Sequence, residues 1–340
     1  MTLDAGNSND HNVENPISIE RRIPTGDAHK PPTGSDAQTD ANSKEKSDDG
    51  ELEILPLQTS NKVTVYSAIS EVRNPVQLVK NIFSDFWSGR ELAWRLFLRN
   101  IRGLYRQTLL GLFWAFLPPI ANTAIWIVLR IVTNFDSGDT GVHMAVYTLA
   151  GMILWQAFMD SFQMPSNALA KNRNMIAKLN FPRESLLMVG MGEVLFDLMI
   201  RLLLLIPAFL YFEVPFHATL LLAPIAILAL TTLGAGLGLL IMPFGSLYQD
   251  VGRFIGMVMP FWMIMTPVVY APRTEGLASL LNWVNPASPL ILLSRDLILL
   301  GETQFLTMGL IFAALSVPIA LLGLLVFRIS IPVLVERMTA

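Results

Sequence analysis

The sequence predicts an all-α integral membrane protein with about six spanning helices, and three observations carry that prediction. Hydrophobic residues make up 52% of the chain and charged residues 15%, against about 25% charged in an ordinary soluble domain. Several uncharged runs reach the about 20 residues that a bilayer demands of a spanning helix. Lys and Arg also cluster in alternate loops, the bias that marks cytoplasmic loops.

The beginning of the chain stands apart. Residues 1–60 hold 12 Asp or Glu against 5 Lys or Arg, whereas residues 61–340 hold 15 against 19. The leading stretch is rich in Asn, Ser, Thr, Asp, Gly and Pro and nearly free of aromatics, so it cannot bury enough surface to offset its ordering entropy. It reads as a disordered acidic cytoplasmic tail over 1–75, followed by a membrane domain over 76–340. It shows neither the apolar core nor the small-residue cleavage site of a signal peptide. No cysteine occurs, which removes disulfides, thiolate zinc sites and cysteine nucleophiles.

The first helix expected is an amphipathic one. Trp94, Phe97, Leu98, Ile101, Leu104 and Tyr105 recur on one face, beside a stripe of Arg95, Arg99, Arg102 and Arg106. An apolar face next to a basic one predicts a helix lying in the headgroup plane. Six spans follow over Gly111–Val132, Val142–Met164, Leu186–Phe212, Ala218–Met242, Phe254–Tyr270 and Phe305–Phe327. Arg90, Lys171, Arg173, Lys178, Arg183, Arg253, Arg328 and Arg337 join the helix arginines on one side, and Arg273 and Arg295 fall on the other. That asymmetry puts both termini in the cytoplasm. Leu277–Gly301 is apolar but broken by Asn282, Asn285, Pro286, Pro289, Arg295 and Asp296, so it predicts two short helices on the outer face rather than a seventh span.

Catalytic chemistry is hard to place. No Gly precedes a Lys anywhere, which rules out a Walker A phosphate loop. The Gly234, Gly236, Gly238 run sits inside an apolar span, where small residues let helices approach closely. His143 and His217 lie near different outer loops, and no acid–base or metal-ligand spacing is evident. A membrane enzyme is therefore disfavoured, and no metal, nucleic acid partner or cofactor of the chain's own is expected. On the third span Glu193, Asp197 and Arg201 follow at four-residue spacing. They read either as an intrahelical Asp197–Arg201 pair that lowers the cost of burying charge, or as the polar wall of a transport path. Trp114, Phe116, Trp262 and Tyr270 lie at span ends, as interfacial belts or as aromatic faces for a sugar path.

From Leu98 onward the residues resemble a known family. Tyr105-Arg106-Gln107-Thr108-Leu109-Leu110-Gly111-Leu112-Phe113-Trp114 running to Pro118-Pro119 resembles the opening of the permease subunits of ABC exporters for O-antigen, capsular polysaccharide and teichoic acid. Asn174 to Glu184, ending Phe181-Pro182-Arg183-Glu184, resembles the family's cytoplasmic loop. Tyr248 to Arg253 resembles its motif before the fifth span, and Thr266 to Tyr270 with Asn285-Pro286 and Arg295 its outer-face segment. Asn100 and Gln249 depart from the family's usual Asp and Arg, and the acidic tail is longer than usual.

The resemblance covers about residues 80–335 and implies a homodimer in the bacterial inner membrane. It implies a separate ABC ATPase subunit that binds ATP and Mg, and a lipid-linked glycan passing between the two copies. It implies that Lys178, Phe181, Pro182, Arg183 and Glu184 form the ATPase-coupling loop, with the arginine stripe near carrier-lipid phosphates or membrane lipids. Trp114, Phe116, Trp262 and Tyr270 become candidates for the path. The alternatives are the same architecture moving a smaller lipid or drug, or an ion-coupled carrier using Glu193, Asp197 and Arg201. Such carriers commonly show internal repeats, and none is evident between the halves of this chain.

Overall fold

The computed structural model describes residues 75–106, 113–134, 138, 140–178, 181–272 and 276–339. The acidic tail and the 107–112 stretch of the Tyr105–Pro119 motif lie outside these. Every regular element among the described residues is helical.

The chain opens with α1 (Pro75–Arg106), longer than its apolar stripe alone predicts, and continues into α2 (Phe113–Thr133). The second predicted span is α3 (Met144–Lys171), capped by His143, whose Nδ1 accepts the Ala145 N–H. It runs seven residues past Met164 and carries Pro165 inside it. A short α4 (Arg173–Lys178) then leads to α5 (Glu184–Leu202) and α6 (Leu205–Tyr211). The third span is therefore interrupted. Pro207 has no N–H to offer the Leu203 carbonyl, and the chain tightens there, with Leu203 and Leu204 donating three residues back to Ile200 and Arg201.

A 3-10 turn (Ala218–Leu221) precedes α7 (Ala223–Leu247), and α8 (Gln249–Met265) follows almost at once. α8 ends because Pro267 drives the residue before it out of the helical region; Thr266 sits at φ −92°, ψ 133°. The fifth predicted span thus lies five residues earlier than expected. The broken segment forms the two short helices predicted for it, α9 (Leu277–Val284) and α10 (Ala287–Leu299), before the long α11 (Leu306–Thr339). Gly301, at φ +76°, terminates α10, with the N–H groups of Leu300 and Gly301 both reaching the Asp296 carbonyl.

Among the described residues, four stretches are long and apolar enough to cross a membrane: Phe113–Thr133, Glu184–Tyr211, Ala223–Leu247 and Leu306–Arg337. The other two of the six predicted spans are helical but fall short of that standard. Gln156, Asp160, Gln163 and Asn167 dilute the apolarity of α3, and α8 has only 17 residues.

α7 is the centre of the packing, lying against α3, α10 and α11. Its glycines make this possible. A Cβ on Gly238 would fall 2.0 Å from the Phe162 carbonyl oxygen of α3, and one on Gly236 would fall 2.9 Å from Ala320 of α11. The predicted role of this glycine run, close helix approach, is the observed one. Two apolar clusters divide the bundle lengthwise. One gathers Val146, Ile153, Phe158, Leu230, Leu290 and Ile291 around α10. The other gathers Leu96, Ile176, Leu187, Met242, Phe327 and Ile331 where α1, α4, α5 and α11 converge.

Candidate functional site

Three neighbourhoods hold the side chains singled out by the sequence. The first is the segment 173–184 with α1 and α11. Phe181 is half-buried and packs on the second apolar cluster beside buried Ile176. Pro182 and Arg183 are half-buried, and only the backbone of Lys178 is described. Glu184 is buried and faces Arg328 of α11. Its Oε1 lies 3.4 Å from Arg328 Nη1, and the same Nη1 lies 2.9 Å from Asp85 of α1. All three side chains are under one-fifth exposed. A buried guanidinium shared by two carboxylates keeps either from being stranded without a counter-charge.

The arginine stripe of α1 is solvated. Arg95, Arg99 and Arg102 are exposed, with Arg95 bonded to Glu91 and Arg99 to the Asn100 side chain. The side chain of Arg106 lies outside the described residues. The expected apolar face of α1 is divided between two environments. Leu96 is buried and Phe97 meets Phe196 of α5 edge-on, whereas Trp94 is 60% exposed.

The second neighbourhood is a polar cavity of about 190 Å³ between α1, α3 and α5, lined by Asn100, Asp160, Lys171, Glu193 and Asp197 among others. The intrahelical Asp197–Arg201 pair is not what forms. Arg201 instead bonds Asp160 of α3, which also accepts from Gln156 at 2.8 Å. Glu193 receives Lys171 of α3 at 3.2 Å and the Asn100 amide of α1 at 2.6 Å. Of the three charges spaced along α5, Glu193 and Asp197 line this cavity. The partners come from the neighbouring helix, because α3 carries its own polar stripe, and side chains meeting head-on make better ion pairs than two stacked on one helix surface. Asp197 lines the cavity.

The third neighbourhood lies at the α9–α10 end. Trp262 is half-buried, packed edge-on against Trp155, Phe158 and Phe162, and donates its indole N–H to Asn285 at 2.8 Å. Asn285 in turn donates to Thr266 at 2.7 Å. Tyr270 donates to the Ile264 carbonyl. A groove of about 410 Å³ separates α8 from α3, lined by Gln156, Gln163, Met259 and Met263. Phe254, Met257, Phe261 and Ile264 of α8 and Trp114 of α2 are exposed; Phe116 is half-buried.

Sequence reasoning missed what Arg295 does. It is fully buried on α10, lies 3.8 Å over the Tyr147 ring, and donates to the carbonyls of Pro267 and Val268 at 2.8 and 3.2 Å. Its neighbour Asp296 is also buried. Burial pushes the Asp296 carboxyl up to about 6, against the opposing pull of Arg295 and the Thr303 hydroxyl. The one available signal was a charge pair inside an otherwise apolar, proline-punctuated stretch.

Similarity to known proteins follows this architecture. The family profile of the ABC-2 type transporter matches residues 91–299. An O-antigen export system permease protein, RfbA of Myxococcus xanthus, is 23% identical over 207 residues, 59% of this chain and 78% of that protein. The protein of the same name from Klebsiella pneumoniae is 20% identical over 239 residues, 68% of this chain and 88% of that protein.

Proposed function

Because this chain belongs to the ABC-2 type transporter family, we propose that it is the membrane half of an ATP-driven exporter of a lipid-linked polysaccharide of the O-antigen or capsular kind. ABC-2 proteins are transport permeases, and the chemical work of hydrolysis falls to a partner ABC ATPase. The observation that carries the substrate reading is the length of the match. The two O-antigen permeases align over 78% and 88% of their own chains.

The geometry supports the reading in three places. Segment 173–184 is a short helix and turn braced against α1 and α11, suited to receiving a push from an ATPase and passing it to the bundle. α8 presents Phe254, Met257, Phe261 and Ile264 outward, and α2 is almost unburied in the single chain. Together these offer a second copy a large apolar face and leave room for a path between copies. α1 offers exposed Arg102 near the membrane plane, where guanidinium forks suit phosphate oxygens. In this arrangement both termini face the cytoplasm of the producing bacterium, α3 and α8 complete a six-span set within its inner membrane, and α9–α10 cap the far side.

A deletion strain tests the assignment. Surface polysaccharide is measured outside, and lipid-linked polysaccharide in the inner membrane fraction. Loss outside with accumulation inside is the expected result. An unchanged surface glycan without accumulation overturns the polysaccharide reading in favour of a smaller lipid or drug.

A further inference from the structure

α1 packs on α5, with contacts that run from the residues leading into α5 to Phe196. Asp85 reaches Arg328, which also holds Glu184, the first residue of α5. One turn on, Gly89 rests on the same turn. A Cβ there would fall 2.2 Å from Ser185 Oγ and 3.6 Å from Pro182 Cβ. Farther along, the Phe97 ring lies 3.1 Å from where a Cβ on Gly192 would stand, and Asn100 donates to Glu193.

These contacts differ in how they respond to movement. Apolar contacts can slide at little cost, because one methyl replaces another. A buried guanidinium shared by two carboxylates cannot, since separation strands charge in a medium that solvates it poorly.

We propose that Arg328 is a positioning residue of the transport cycle: by holding Asp85 of α1 and Glu184 of α5 at once, it makes α1 follow segment 173–184 whenever that segment is displaced. The proposal rests on the reading of 173–184 as the ATPase contact. It makes α1 move together with that segment and with the end of α11 that carries Arg328, so a basic helix at the bilayer surface shifts in step with ATP binding. Arg328 touches no substrate in this scheme; it acts through Asp85 and Glu184.

The absence of cysteine makes the test direct, because introduced thiols are the only labels on this chain. Spin labels are placed at exposed positions through Ser88→Cys on α1, Asn174→Cys in the segment and Leu222→Cys at the opposite end of the bundle. The permease is co-expressed with its ATPase, stripped of cysteines, and reconstituted in nanodiscs of phosphatidylethanolamine and phosphatidylglycerol. Distances 174–222 and 88–222 are compared with ADP and with ATP, Mg²⁺ and vanadate. In the otherwise unsubstituted chain both distances change. In Asp85→Asn and in Arg328→Gln the 174–222 change persists and the 88–222 change is lost, whereas Arg328→Lys retains it. Asp85→Asn leaves the Glu184–Arg328 contact in place, so it decides the matter even where Arg328→Gln fails to fold. Persistence of the 88–222 change in Asp85→Asn overturns the joint while leaving the coupling segment intact. No 174–222 change in the unsubstituted chain overturns both.

Discussion

Arg295 and Arg328 are both almost wholly removed from solvent, at opposite ends of the bundle, and the protein satisfies them by different means. Arg328 has two carboxylates, from α1 and α5. Arg295 has two backbone carbonyls and an aromatic face, and its Nε and Nη2 find no partner among the described residues. Carbonyls belong to the backbone and cannot be withdrawn by a rotamer change, so Arg295 fixes the chain where it leaves α8. Carboxylates sit on side chains of separate helices, so Arg328 ties those helices together while allowing the group to move as one. One arginine is tied to backbone and the other to side chains of separate helices.

The largest expected effect breaks the comparison at Arg328. Arg328→Met strands Asp85 and Glu184, and removing one member of a buried ion pair costs about 3–5 kcal/mol. Arg295→Met leaves two carbonyls without a donor, at about 1–3 kcal/mol, and also relieves a buried charge that is only partly satisfied. Thermal unfolding of the purified chain in micelles should rank Arg328→Met well below Arg295→Met. The reverse order would show that the carbonyl clamp is the stronger of the two.

The second test uses a glycine at each end. A Cβ on Gly151 would fall 2.2 Å from the carbonyl oxygen of Val268, one of the two that Arg295 binds. Backbone has nowhere to go, so Gly151→Ala should cost about 1–3 kcal/mol through overpacking. A Cβ on Gly89 meets the Ser185 hydroxyl at the same distance, but a serine side chain can rotate away. Gly89→Ala should therefore fall below about 1 kcal/mol, offset in part by the better helix propensity of Ala. Equal losses in the same unfolding assay would mean that the α1 contact is as rigid as the Val268 one.

The smallest effect separates the ends by pH. Asp296 is raised in the folded chain from 3.8 to about 6. A carboxyl raised on folding favours the protonated state, so its stabilising share is complete below the unfolded value and disappears as pH rises through about 6. The α10 end should unfold at a higher temperature at about pH 5 than at about pH 8, and Asp296→Asn should flatten that difference. A chain whose unfolding midpoint rises over the same interval would exclude Asp296 as its source.

Much of the fold was legible before any coordinates. The apolar runs located the long helices from Phe113 onward among the described residues, and Pro286 and Pro289 with Asn285 announced that Leu277–Gly301 breaks into two pieces. Helix ends were less legible: Pro267 stopped α8 early, and Pro207 interrupted the third span where hydropathy alone saw one uninterrupted helix. The four-residue spacing of Glu193, Asp197 and Arg201 put those charges on α5, where Glu193 and Asp197 line a polar cavity. Of the two readings of the α5 charges, the intrahelical Asp197–Arg201 pair gives way to an Arg201–Asp160 pair between helices.

Hydropathy and charge pattern are properties of neighbouring residues, so the sequence by itself determined an all-α, apolar chain and the approximate position of its apolar helices. Which charges meet was decided only by tertiary structure. Arg201 finds Asp160 across 41 positions, Arg328 finds Glu184 across 144, and Arg295 finds a carbonyl 28 residues back. The physical reason is that a charge out of water takes whatever counter-group the packed helices bring within reach, and that reach is set by how α7's glycines and the neighbouring helices close on one another.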